Sequence, residues 1–369
     1  MNFQEKDFPI WDPTFNILDS TKLSTYQKCP REFFFSYILG WKPNEPNIHF
    51  RFGGAFHEAM EVLMNHQDGE VVGYTEAAMY DAVKAFKNSW EDNGVKGNDD
   101  KDTAMGVLLG EPVDTTNGAK TITNGLEAIA EYCTQYSGDQ FKTNFVEVSG
   151  SIPVNKDTKE QEGDRIYFKM DALLEKDGLN GCWDHKTTSY KSRSYEQDWE
   201  LKKQVGTYNY VVNTLFNGHT SGVTINGAIL RRPKRDGTCN NEFIRIPALI
   251  KENQLTLWLW EINELIERLK WDMKLFSQAK PSDRAMKAFA RNDSACTQAY
   301  GCPFHGFCDS ESWANPISKI DKIPMGYHRE YWDPRDRGRD LDTGIKRRDA
   351  KKKETSIEEG GIIATAVEV

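Results

Sequence analysis

Residues 166–187 read IYFKMDALLEKDGLNGCWDHKT, and this stretch decides the fold class. Ile166 to Leu174 is dominated by aromatic and aliphatic side chains, Gly178 supplies a turn, and Cys182 to Thr187 resumes strand character, so the pattern predicts a β-hairpin. Successive side chains of a strand point to opposite faces, which puts Asp184 and Lys186 on one side and His185 on the other. If Asp171 faces that side from the partner strand, two carboxylates and one ammonium converge. Paired acids are costly unless a cation neutralises them, and oxygen ligands that keep waters suit Mg²⁺ or Mn²⁺. Such an ion polarises a phosphate and acidifies water, while Lys186 positions that water or stabilises a pentavalent transition state, so the cluster points to phosphodiester hydrolysis. An ordinary solvated strand also accommodates an Asp-x-Lys triplet, and the rest of the chain has to decide between the two.

Around the hairpin the pattern gives strands at 143–154, 164–175 and 180–187, a helix over 197–216, and a strand pair at 222–231 and 242–247. Helical patterns cover Ser24 to Tyr37, interrupted by Pro30, and then 54–66, 74–92 and 118–137. Leu255, Leu259, Ile262, Ile266, Leu269 and Met273 recur every three or four residues, which predicts a long core helix at 252–278. Residues 93–116, rich in Gly, Asp and Asn, read as an exposed connection. The chain therefore divides into an N-terminal extension (1–20), a helical part (21–140), a sheet (141–250), a C-terminal helical part (251–330) and a charged, flexible tail (331–369). Strand followed by helix is the pattern of an α/β layer, so the fold class is α/β.

An apolar fraction of 38% in 369 residues supports a real core. The 47 basic and 56 acidic side chains give a net charge of −9, which counts against a broad basic face that coats nucleic acid but not against a locally positive cleft. No apolar run approaches the roughly 20 residues a membrane span requires, and the N-terminus lacks the basic start and apolar middle of a signal peptide, so a cytoplasmic protein is expected. Seven cysteines without a secretory signal argue for free or metal-bound thiolates. Cys29 and the trio Cys296, Cys302 and Cys308 offer four thiolates, enough for tetrahedral zinc or an iron–sulfur cluster, and their spacing does not separate the two. Cys133, Cys182 and Cys239 read as ordinary thiols.

Three further groups sit in useful places. His57 and Glu61 lie four apart on a helix opened by Gly53 and Gly54, and imidazole is a good metal ligand. Gln204 and Tyr208 share a helix face, suited to hydrogen-bonding the lysine or a phosphate. Arg231, Arg232, Lys234 and Arg235 form a cationic turn for phosphate contact, although a plain surface turn explains them equally well.

Gly54-x-x-His57, Asp171, Asp184-His185-Lys186-Thr187 and Gln204-x-x-x-Tyr208, in that order, resemble the RecB-like exonuclease branch of the PD-(D/E)XK nucleases over residues 20 to 310. The resemblance implies a restriction-endonuclease-like fold, a mixed central sheet flanked by helices. It also implies that His57, Asp171, Asp184 and the backbone carbonyl of His185 bind the metal, that Lys186 is catalytic, and that Gln204 and Tyr208 support the site. One N-terminal and three C-terminal cysteines are similar to the iron–sulfur members, including AddB-type helicase-nucleases and exonucleases of CRISPR adaptation. That implies a [4Fe–4S] cluster on Cys29, Cys296, Cys302 and Cys308, with Zn²⁺ the alternative, joining the N- and C-terminal helical parts. Phe168 departs from the pattern, since many relatives carry glycine there. DNA with single strands or free ends is the implied substrate, in replication, recombination or repair. A helicase partner is open because the chain has no P-loop. Two other functions compete: a catalytically silent DNA-binding or assembly subunit, and a zinc-stabilised nuclease acting on RNA or structured DNA.

Overall fold

Asp19 starts the first helix, α1 (Ser20–Lys28), by accepting the Lys22 amide at 2.8 Å. In this computed structural model, which describes residues 17–44, 47–92, 118–154, 164–232, 234, 239–297, 301–320, 322–334 and 339–340, the chain then breaks at Cys29. Pro30 has no amide proton to continue the ladder but fits a first helical position, and it opens α2 (Pro30–Phe33), which widens into a π turn (Phe34–Ile38). Strand β1 (Trp41–Pro43) and helices α3 (Ile48–Asn65), α4 (Glu76–Asp92) and α5 (Ile122–Gln135) follow. Helix α3 begins six residues before the 54 that the pattern suggests, because Asn47 caps the His49 amide at 2.9 Å.

The sheet is made by β2 (Lys142–Pro153), β3 (Arg165–Lys176), β4 (Leu179–Thr188), β5 (Thr220–Ile229) and β6 (Glu242–Pro247), with α6 (Lys203–Leu215) crossing between β4 and β5. After it come α7 (Glu252–Ser277), the short α8 (Asp293–Cys296) and α9 (His305–Asp309), β7 (Tyr327–Arg329) and β8 (Arg339–Asp340). The strand order is β6-β5-β4-β3-β2-β8, antiparallel except for β4–β5 and β2–β8. A parallel neighbour requires a crossover, and α6 supplies it. The sheet is thus mixed and flanked by helices, as the family resemblance implies.

Each face of the sheet has its own core. Ala172, Leu174, Trp183 and Phe243 pack against α3, α4 and α5, whereas Met170, Cys182, Val223 and Ile225 pack against α1, α6 and α7. The composition beyond Trp332 reads as a tail without structure, yet Arg339 and Asp340 pair in parallel with Val148 and Ser149. An open edge strand offers unpaired amides and carbonyls, and it can recruit a neighbour whatever side chains that neighbour carries.

The two ends of the domain meet through ordinary packing. Arg31, buried, donates from Nε to the Phe289 carbonyl at 2.9 Å, and Tyr26 donates to Asp272 at 2.7 Å. Asn292 donates to the carbonyl of Lys28, beside Cys29, at 2.7 Å. The rings of Phe35 and Trp41 stack at 5.4 Å and touch Phe304 and Phe307, and β1 pairs with β7. These contacts join the N- and C-terminal parts by packing and hydrogen bonds.

Candidate active site

The site lies where two strands break their alternation. Along β3, Ile166, Phe168 and Met170 enter one core, while Ala172 and Leu174 enter the other. Side chains two apart on a regular strand share a face, so the chain flips at Asp171. On β2 the same flip separates Val146 from Val148, and the residue between them, Glu147, has φ of 49°. A left-handed conformation at a non-glycine residue costs about 1–2 kcal/mol and concentrates at functional positions. The pairs Val146↔Ala172 and Val148↔Met170 bracket Glu147 and Asp171, so the two irregular residues face each other.

The β3–β4 ladder runs from Lys176↔Leu179 to Ala172↔Trp183 and stops. Beyond it the strands part, and the Asp171 carboxylate takes over from the ladder by accepting the His185 amide at 2.7 Å. His57, reaching in from α3, places Nε2 2.8 Å from the His185 carbonyl and Nδ1 3.5 Å from Asp171 Oδ1. Ligand atoms of His57, Glu147 and Asp171 lie within 4.8 Å of one another. On β4, Lys186 Nζ is 2.6 Å from Asp184 Oδ2, while Asp184 Oδ1 is buried without a hydrogen-bond partner among the described residues. A fully buried carboxylate oxygen in that state is expensive, and a cation or a donor from a ligand would satisfy it. The donor set of two or three carboxylates and an imidazole therefore fits a divalent metal.

Electrostatics follow from burial and crowding. Burial disfavours the His57 imidazolium, but the Asp171 carboxylate outweighs it and raises His57 to about 9. Burial alone would raise Asp171; His57 and Lys186 instead hold it well below the usual carboxylate range. Burial would also strip Lys186 of its proton, and Asp184 and Asp171 keep it an ammonium. Glu147 is pushed up by burial, opposed by Lys169 at 2.5 Å.

His185 has a different role from its neighbours. Its ring points away from Asp184 and Lys186, and Nδ1 meets Asn226 Nδ2 at 2.9 Å. Burial drives its pKa down to about 3, so it is a neutral ring. Behind it, Asn226 donates to Tyr132 Oη at 2.8 Å, Arg245 donates to the same oxygen at 3.0 Å, and Arg245 forks onto Asp139 at 2.7 and 2.5 Å. The guanidinium lies 3.6 Å from the Tyr136 ring centroid and 4.2 Å from that of Trp183. This network anchors the strand that carries Asp184 and Lys186.

Sequence reasoning missed Glu147, Asn226 and Arg245. The only local signal for Glu147 is an acid between two buried valines of one strand. Gln204 and Tyr208 do meet, at 3.0 Å, but Tyr208 donates to the Lys169 carbonyl, so the pair pins α6 to β3 beside the flip instead of bonding Lys186. Phe168 stands opposite Gly150, and a Cβ at Gly150 would come within 2.8 Å of the Phe168 ring. Of the cationic turn, Arg231 is bound to Glu242 at 2.9 Å, Arg232 and Lys234 are exposed, and Arg235 lies outside the described residues.

Of the four cysteines, Cys29 stands at the break between α1 and α2, Cys296 ends α8, Cys302 precedes α9 and Cys308 lies within α9. Burial pushes Cys308 to about 11; Arg31 opposes this, and Cys302, Cys29 and Cys296 add to it. No helix among the described residues is long and apolar enough to cross a membrane.

None of the curated proteins matches this chain. The family model of the PD-(D/E)XK nuclease superfamily matches residues 20–309, from the start of α1 to the end of α9 and so across both cores and the whole site. A match of that extent, over a mixed sheet whose parted strands present Asp171, Asp184 and Lys186, establishes that the chain belongs to the PD-(D/E)XK nuclease superfamily.

Proposed function

We propose that this phosphodiester hydrolase is a Mg²⁺- or Mn²⁺-dependent deoxyribonuclease, an exonuclease that acts on single strands or free DNA ends in replication, recombination or repair. The observation that carries the metal-dependent reading is the grouping of His57, Glu147 and Asp171, whose ligand atoms lie within 4.8 Å of one another, with Asp184 Oδ1 on the neighbouring strand buried and without a partner among the described residues. In this reading His57, Asp171, Asp184 and the His185 carbonyl hold the ion, with Glu147 as a further ligand. A divalent ion there supplies polarisation of the scissile phosphate and a lowered pKa for attacking water. Lys186, kept charged, orients the attacking water and balances negative charge as it builds on the phosphorus oxygens. His57 remains oriented by Asp171, and Gln204 with Tyr208 fixes the strand edge on which Asp171 sits. Arg232 and Lys234, both exposed, contact substrate phosphates in this reading. The exonuclease reading rests on the motif resemblance. Unwinding of a duplex would come from a helicase partner, since no P-loop occurs in the chain.

Cys29, Cys296, Cys302 and Cys308 hold a [4Fe–4S] cluster in this reading, with zinc the alternative. This part of the reading rests on the motif resemblance alone, since the group of ligand atoms within 4.8 Å of one another among the described residues is His57, Glu147 and Asp171. The cluster's role is to restrain the chain between its two ends, a loop long enough for closure to restrict the unfolded ensemble.

End-labelled single- and double-stranded DNA incubated with Mn²⁺ or with EDTA tests the proposal. Degradation from the ends that needs Mn²⁺ and disappears in Lys186→Ala is the expected result; unchanged cleavage by Lys186→Ala refutes it. Protein purified without oxygen should show a broad visible band from the cluster, and a colourless protein carrying zinc would replace that part of the reading.

A further inference from the structure

Helix α3 carries two adjacent glycines that its own packing does not require. Gly in a helix interior is destabilising by roughly 0.5–1 kcal/mol relative to Ala. A Cβ at Gly54 would meet nothing within 4 Å, and one at Gly53 would make only ordinary contact with Thr187 Oγ1 at 3.9 Å. Space for a methyl group exists at both positions, so the missing side chains favour something that arrives from outside the fold.

What lies along the same stripe indicates the visitor. Phe50, Gly54 and His57 are four and three residues apart, hence on one face of the helix. The opposite face, with Phe52, Phe56, Ala59 and Leu63, fills the core. Phe50 is 80% exposed, while His57 reaches Asp171 and the His185 carbonyl. The rise between Phe50 and His57 is about 10 Å. Moving from His57 to Gly53 along α3 parallels moving from His185 to Thr187 along β4, as the Gly53–Thr187 contact shows. The stripe therefore leads out of the site past the end of β4, with an aromatic platform at the rim, a bare backbone in the middle and a metal-binding imidazole at the inner end. Asp184, which interacts electrostatically with Asp171 and with His57 at that inner end, keeps Oδ1 fully buried and unpartnered among the described residues.

We propose that this stripe is a nucleotide subsite: an unpaired base stacks on Phe50 while its sugar-phosphate backbone passes over Gly54 toward the site. The proposal rests on the nuclease reading for its inner end and adds what that reading lacks, a physical source of preference for single strands. Within a duplex the faces of each base are covered by its neighbours, so Phe50 can stack only on an unpaired or terminal nucleotide.

Binding is read without catalysis, by fluorescence anisotropy in EDTA with fluorescein-labelled oligothymidylate and a blunt duplex of equal length. Loss of one stacked base predicts about 5- to 100-fold weaker oligothymidylate binding by Phe50→Ala. Phe50→Trp should restore it, and duplex binding should change less than either. Gly54→Leu should weaken oligothymidylate binding in the same range, although Gly54→Ala should melt no lower than the natural protein, because alanine favours the helix. Trp271→Ala, at an exposed aromatic on α7, is the control and should bind as the natural protein does. Oligothymidylate affinities of Phe50→Ala and Gly54→Leu equal to that of the natural protein would overturn the subsite, as would equal losses on duplex and single strand. A natural protein that binds as described but never cleaves would sink the nuclease reading and leave the subsite standing.

Discussion

Replacing Arg245 by Met tests whether the network behind the site holds the active strand in place. Arg245 and Asp139 are both largely buried, at 16% and 8% side-chain exposure, and share two hydrogen bonds. Removing one partner of a buried pair typically costs 3–5 kcal/mol, mostly from the charge left behind. Here Asp139 keeps Lys176 at 3.8 Å and Tyr74 Oη at 3.5 Å, so the abandoned carboxylate is partly compensated. The cation–π contacts to Tyr136 and Trp183 add about 0.5–1 kcal/mol each, of which Met keeps the apolar share. Arg245→Met should therefore destabilise by about 3–4 kcal/mol in urea denaturation. Adding Asp139→Leu removes the stranded charge and should return most of the loss, leaving a coupling energy of about 2–3 kcal/mol in the double-mutant cycle. Because Arg245 also meets Asn226 Oδ1 at 3.4 Å, and Asn226 meets His185, kcat should fall in the single variant while KM changes little. A single variant costing under about 1 kcal/mol, or a double variant as unstable as the two singles added together, would refute the reasoning.

Two further outcomes are expected. Glu147→Gln preserves shape but removes charge, and it should weaken Mn²⁺ binding by about tenfold or more in isothermal titration; an unchanged titration would exclude Glu147 from the metal site. Burial lowers Lys120 to about 8, against 10.5 for an ordinary lysine. Between those two values the unfolded chain binds a proton that the folded chain does not, so the stability contributed by this position rises with pH across that window. Lys120→Met should consequently stabilise the protein by on the order of 3 kcal/mol at pH 7, with the gain fading toward pH 10; urea midpoints that shift equally at both pH values would contradict it.

What the residues alone disclose depends on how local the cause is. Asp184 and Lys186 can be placed on one face because strand alternation is set by the chain itself, and the amphipathic run of α7 is equally local. Asp171 needs more, since its approach to His185 depends on the point where the β3–β4 ladder stops, which no pattern within β3 records. Glu147 is harder still. Its side chain joins the site only because the backbone flips at a left-handed residue, and among 56 acidic residues nothing marks it except two flanking valines. Arg245 and Asp139 are 106 residues apart, and Asn226 lies 41 from His185, so their network exists only once α5, β4, β5 and β6 are assembled.

The same reasoning explains why the irregular features gather at one place. A regular β3–β4 ladder would pair Asp171 and Asp184 across adjacent strands and leave no gap between them. Parting the strands opens the gap, but it strands the amide of His185, which the Asp171 carboxylate then accepts, and the carbonyl of His185, which His57 meets. Two residues implicated in binding a metal thus also replace the hydrogen bonds that the opened sheet gives up. A substitution such as Asp171→Ala would remove a ligand and expose an unpaired strand amide together, so loss of activity in that variant would not isolate metal binding. Lys186 carries no such backbone duty: among the described ion pairs it meets Asp184 alone, so Lys186→Ala keeps the strand hydrogen bonds but strands a buried carboxylate, and a urea melt run beside the cleavage assay separates chemistry from stability.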